Sequence, residues 1–191
     1  TNEGSDSVSV INGKTLEVTL RSDARFHDDQ PVTAHDVVFT YNAAKNEEWR
    51  SLLYSTFRDV HLVEVDERTV QFQLPRANPL FLNDLTVGIL PAHIWEEDVA
   101  PSNAHLADAN LRPIGSGPYH VVSFTRDSRG NILHFHLERF AGYYGIQPFI
   151  NEIRFRFYPD RAQALQAVTN GQADAVAFVS WSDAERVRGE H

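Results

Sequence analysis

The 191-residue sequence has no cysteine and no methionine, and its two lysines, Lys14 and Lys45, are outnumbered by fifteen arginines. The missing cysteine excludes disulfides, thiolate metal sites and cysteine nucleophiles together. It leaves the compartment open, since cysteine-free chains suit oxidising and reducing surroundings alike. No apolar run reaches the roughly eighteen residues of a membrane span, and no charged-then-apolar leader follows Thr1. A start at Thr1 without methionine points to a processed or excised segment. Basic clusters are also lacking. The formal net charge is -9 at pH 7 and the arginines are scattered, whereas phosphate backbones require clustered cations to release counterions. Nucleic acid is therefore excluded as a partner of this segment.

What is present is enough apolar material for a folded core: 42% hydrophobic residues against 23% charged. Three Trp, six Tyr and twelve Phe serve that core first, and would also suit a cleft that holds a solute by stacking.

Period-two alternation predicts strands at Val8–Ile11 and Leu16–Leu20, with Leu16, Val18 and Leu20 on one face. Asn12-Gly13 between them reads as a type I′ hairpin turn. A helix is predicted from Thr33, whose hydroxyl and the Asp36 carboxylate form an Asp variant of the capping box, with Val32 and Val37 as a hydrophobic staple. On its wheel Val37, Val38, Tyr41 and Ala44 share one stripe, while Phe39 falls nearly opposite, beside His35 and Asn42. Phe39 must therefore either pack on a second element or face a cleft.

Strands are predicted at Val60–Val65 and Thr69–Leu74, then short helices and turns from Asn78 to Trp95 and a polar excursion from Asp98 to Leu111. Tyr119–Phe124, Ile132–Leu137 and Ile153–Phe157 read as three further strands. Asp160 caps a helix that presents Ala164, Leu165 and Val168 inward and stops at Asn170-Gly171. The apolar run Ala175–Val179 completes a predicted strand-helix-strand unit with a parallel crossover. The expected organisation is two subdomains: 1–85, with hairpin, capped helix and strands, and 86–191, a sheet with the βαβ unit.

Catalytic patterns are weak. Ser116 in Gly115-Ser116-Gly117-Pro118 lacks the spacing of a nucleophile elbow and leads into a strand. Its glycines read as allowing a tight, close-packed turn. His134 and His136 share a strand face, half of a metal site, but no third ligand is identifiable and the solvent face explains them at lower cost. His27-Asp28-Asp29 reads as a turn. No phosphate loop or dinucleotide fingerprint occurs. Catalytic residues, metal and cofactor are all expected to be none.

Three segments carry a family likeness. Leu20-Arg21 followed by Phe26-His27-Asp28-Asp29-Gln30-Pro31-Val32-Thr33-Ala34-His35-Asp36-Val37-Val38-Phe39 is the first, Arg112–Tyr119 the second and Gly171-Gln172-Ala173-Asp174 the third. In this order they resemble the F-x-L-R, F-H-D-G-x-P-V-T-A-x-D-V-x-F, P-x-G-S-G-P-Y and G-x-x-D motifs of the family 5 solute-binding proteins of peptide and nickel ABC importers. Ile89-Leu90-Pro91-Ala92-His93-Ile94 and Glu138–Gly145 resemble two lesser segments of that family. Asp29 stands where the family has glycine, and Phe140 where it commonly has asparagine.

The resemblance implies an α/β fold of mixed sheets with flanking helices, part of one lobe of a two-lobed, class II periplasmic-binding-protein-like architecture. It implies capture of a dipeptide or oligopeptide without chemistry, in the periplasm or cell exterior, with an ABC permease as partner and a lipid anchor outside this chain as an option. Nickel complexes or sugars are alternative solutes, and a transcription regulator using the lobe as sensor is the alternative setting. Near the cleft this implies Phe39, Tyr41 and Asn42 on the helix, and Trp181 after the last strand, as solute contacts. Tyr41 also fits the core stripe.

Overall fold

A computed structural model describes residues 7–10, 13–96, 99–177 and 179–184. Its mixed α/β architecture agrees with the fold class expected. The chain divides into two compact units, 1–121 with 138–151, and 122–137 with 152–191. The sequence predicts a boundary after Leu85, whereas residues 86–121 belong to the first unit by contact. Within that segment Leu90 and Ala92 donate their backbone N–H groups to Thr40 and Asp36 of the first helix, and Gly115 donates to His27.

The first unit is built on a four-stranded antiparallel sheet of order β1-β2-β4-β3, with β1 at Ser7–Val10, β2 at Thr15–Thr19, β3 at His61–Asp66 and β4 at Thr69–Gln73. Leu16 faces Phe72 and Val18 faces Val70 across β2 and β4, so the alternation read in the sequence assembles one apolar face. Val10 pairs with Leu16, which leaves an odd number of residues between them. A two-residue turn needs an even number, so the predicted type I′ turn does not fit this register. Ile11 and Asn12 lie outside the described residues.

Helix α1, Ala34–Ala44, lies on this sheet, and its start carries the predicted capping box. The Thr33 hydroxyl accepts from Asp36 N–H at 3.4 Å, and Thr33 N–H donates to the Asp36 carboxylate at 2.8 Å. Val32 and Val37 are both buried. Tyr41 reaches the core edge-on to Phe57 and Phe72, with ring centroids 4.8 and 5.1 Å away. The helix is covered on a second side too, because Asp36, Thr40 and Ala43 are buried beside the sheet-facing Ala34, Val37, Tyr41 and Ala44. Val38, expected in the packed stripe, packs against this core and is half-buried.

Short helices follow: α2 at Tyr54–Phe57, α3 at Phe81–Asp84 and α4 at Ala92–Trp95. Phe57 and Phe81 point into the core. Residues 101–106 and 108–110 form 3-10 turns in the polar excursion.

The second unit holds most of a three-stranded sheet of order β5-β6-β7, with β5 at Tyr119–Arg126, β6 at Ile132–Arg139 and β7 at Glu152–Arg156. Phe124, Phe135 and Phe157 form a ring series along it, with centroids 5.6 and 6.3 Å apart. Helix α5, Arg161–Thr169, is capped by Asp160, which accepts from Gln163 N–H at 2.9 Å. It ends at Gly171 in the left-handed region at φ 68, with Gln172 N–H bonded to Ala167 carbonyl and Gly171 N–H to Val168 carbonyl. This pair of bonds is the Schellman closure, and it explains the Asn170-Gly171 stop. Leu165 and Ala167 are buried, so Ala167 joins the inward face that the sequence assigns to Ala164, Leu165 and Val168.

The predicted βαβ unit is not formed among the described residues. Residues 175–177 and 179 are not in a strand, and β7 ends its sheet without a further neighbour. An apolar composition does not by itself select a pairing partner for the N–H and C=O groups of a run.

Candidate functional site

The first family-like segment and the Gly-Ser-Gly loop, far apart in sequence, meet at His27. Its ring Nδ1 accepts from Gly115 N–H at 3.2 Å, and its Nε2 lies 3.1 Å from Gly117 carbonyl. One ring nitrogen accepting and the other donating requires the neutral Nε2–H tautomer. His27 N–H also donates to Gly115 carbonyl at 2.8 Å. The ring is edge-on to Phe140 at 5.1 Å and tilted against His120 at 5.9 Å. Burial pushes the imidazole pKa below its ordinary value, with the Gly117 carbonyl working against that shift.

The turn reading of His27-Asp28-Asp29 is therefore incomplete. Asp28 does accept from Gln30 N–H at 3.3 Å in the turn, and it also bonds the His93 ring at 2.8 Å. Asp29 adopts φ 67, a left-handed conformation that suits the family's glycine and that Asp tolerates better than bulkier residues. The glycines beside Ser116 are not demanded by packing. A Cβ at Gly115 would meet His27 at an ordinary 3.7 Å, and at Gly117 it would meet nothing within 4 Å. The loop is held instead through its backbone by His27.

Asp36 does the equivalent for the Ile89–Ile94 segment. One carboxylate oxygen serves the α1 cap, and the other accepts from Ala92 N–H at 2.8 Å. Thr40 Oγ1 donates to Asp36 carbonyl at 2.7 Å and accepts from Leu90 N–H at 2.9 Å. Both side chains are buried, with Asp36 only 4% exposed, yet each polar group is matched, as burial requires.

Beside this junction lies an aromatic series. Phe39 meets Trp49 edge-on at 5.8 Å, and Trp49 meets Trp95 at 6.0 Å. Phe39 thus packs on a second element and remains half-buried. Asn42, one turn along, is exposed, and so is His35, whose Nε2 bonds Glu96 at 2.8 Å. That bond raises the His35 pKa, against a smaller opposing effect of desolvation.

Tyr41 is only 2% exposed and belongs to the core. Burial, with a smaller contribution from the Asp84 charge, pushes its phenol up to about 12. It offers a solute no surface, so the sequence-based assignment of Tyr41 as a contact is corrected. Trp181 is 74% exposed and lies in the second unit, whereas Phe39 and Asn42 lie in the first. His134 is exposed and His136 half-buried, the latter 3.3 Å from a Glu152 oxygen that also takes Arg154 at 2.9 Å.

The sequence profile of the bacterial extracellular solute-binding proteins, family 5 Middle, matches residues 6–191. The chain belongs to that family. The dipeptide-binding protein of Escherichia coli K12 is 27% identical over 195 residues, which span 92% of this chain and 36% of that protein. The crystal structure of the ABC transporter substrate-binding protein CtaP from Listeria monocytogenes superposes with a TM-score of 0.83 at 31% identity, over 98% of this chain and 38% of that one. The oligopeptide-binding protein AppA of Bacillus subtilis, solved with a nonapeptide, gives 0.74 at 25% identity, over 87% of this chain and 33% of that one. The chain thus spans little more than a third of the length of such family members. The family is one of solute binding, and no helix among the described residues is long and apolar enough to cross a membrane.

Proposed function

We propose that this chain serves the solute-binding component of an ABC importer that captures dipeptides or oligopeptides outside the cytoplasmic membrane and delivers them to a membrane permease. The observation that carries this reading is the agreement of family profile and fold over nearly the whole chain with peptide-binding relatives. The role is capture without bond-making, and the component is periplasmic or extracellular, with any lipid anchor outside this segment.

Phe39 and Asn42 on α1, and Trp181, are the residues we assign to solute contact. Phe39 and Asn42 share a face of α1 that the core leaves accessible, and stacking plus an amide suits a peptide backbone. His27, Asp36 and Thr40 are positioning residues that hold the surrounding loops in place.

Deleting the encoding gene should abolish uptake of labelled dipeptides and tripeptides while leaving uptake of the free amino acids intact. Unchanged peptide uptake would overturn the reading. The 191-residue chain by itself should bind a peptide panel no better than weakly in calorimetry, because a single wall cannot desolvate the ligand.

A further inference from the structure

A cleft of about 670 Å³ opens in the first unit where β4 ends, between α2 and α3. No residue of α1 lines it, so it is separate from the face that carries Phe39 and Asn42. Its size falls in the range of small-molecule sites. The lining is mostly polar, and its apolar part comes from Val60 and Phe81, which are core residues, and from Leu74, partly buried against them.

The walls carry charges of both signs. Arg76 follows the end of β4, and Asp84 closes α3. Neither has a hydrogen bond or ion pair among the described residues, whereas Asp59, also on the rim, takes the guanidinium of Arg58 at 3.3 Å. Asp84 is half-buried, and its charge reaches the Tyr41 phenol inside the core. A half-buried carboxylate with no partner among the described residues suits a cationic group. An unmatched guanidinium on the same cleft suits a carboxylate.

We propose that this cleft binds a small zwitterion of the α-amino acid class, with its ammonium on Asp84, its carboxylate on Arg76 and an apolar side chain over Leu74 and Phe81. The hydroxyls of Ser55 and Thr56 at the rim are spare donors for the ligand carboxylate. This site is independent of the importer reading and needs neither a second wall nor a permease.

The test is an NMR titration of the 191-residue chain with L-leucine, run beside L-leucinamide, which keeps only the cation, and 4-methylpentanoate, which keeps only the anion. Leucine should give saturable amide shifts confined to residues 55–60, 74–78 and 81–84, with a dissociation constant on the order of millimolar. Leucinamide, 4-methylpentanoate, and the variants Arg76→Ala and Asp84→Asn with leucine should each bind about tenfold or more weakly. Arg76 is exposed, so its variant keeps the test valid even if Asp84→Asn disturbs folding. No saturable shift, shifts elsewhere on the chain, equal binding of either single-charge analogue, or an Arg76→Ala variant that binds leucine normally would overturn the proposal. Loss of peptide uptake in the gene deletion tests the importer reading separately.

Discussion

Asp36 in the first turn of α1 accepts the backbone N–H of Ala92, 56 positions away, at 2.8 Å while its other oxygen closes the helix cap on Thr33. One carboxylate therefore joins a local folding signal to a long-range junction. Asp36→Ala strands the Ala92 N–H in a buried site and opens the cap, and should cost about 2–4 kcal/mol. Asp36→Asn keeps an acceptor for one of the two partners and should cost less. Urea denaturation of the two variants checks the order.

Phe39 lies between core and surface, edge-on to Trp49. Phe39→Ala should cost about 1–2 kcal/mol, well below the roughly 3–5 kcal/mol for truncating a fully buried aromatic such as Phe57. Because the lost ring contacts Trp49, tryptophan emission of the folded variant should shift although the fold persists. A loss as large as that of Phe57→Ala would place the ring in the core and remove this face from solute contact.

The pH dependence of stability should carry two opposing histidine contributions. His27 has a lowered folded pKa, so the fold favours the neutral ring. Its contribution is present above the ordinary value of 6.5 and is lost as pH falls below it. His35 has a raised folded pKa, so its contribution is present below 6.5 and is lost as pH rises through the folded value. His35 and Glu96 are each about half exposed, so screening keeps that term small. Urea midpoints from about pH 5 to 8 should therefore lose their acid-side decline in His27→Ala and change little in His35→Gln. In the same pH series, the amide signals of Gly115 and Gly117 should move as His27 titrates.

Asp29 supplies a further check, because its φ of 67 is the conformation that glycine adopts freely. Asp29→Gly should leave stability within about 0.5 kcal/mol, since relief of left-handed strain offsets the added freedom of the unfolded chain. Asp29→Val should cost about 1–2 kcal/mol, as a β-branched residue pays the full left-handed penalty. Thermal melts of both variants decide this.

The sequence by itself determined the features governed by local chemistry. The Thr33–Asp36 cap, the Asp160 cap, the Gly171 stop, the alternation of Leu16, Val18, Val70 and Phe72, and the family motifs were all readable, because each depends on residues a few positions apart or on one repeating period. Tertiary structure decided whatever depends on distant partners. Nothing near His27 in sequence announces the Gly115–Gly117 loop, and nothing near Asp36 announces Ala92. The family resemblance implied Tyr41 as a solute contact although the helical wheel put it in the core stripe, and its ring is enclosed by Phe57 and Phe72 from other elements. Ala175–Val179 had the composition of a strand, but pairing needs an edge that composition does not provide. The cleft between Arg76 and Asp84 likewise exists only because the fold turns the end of β4 towards α3.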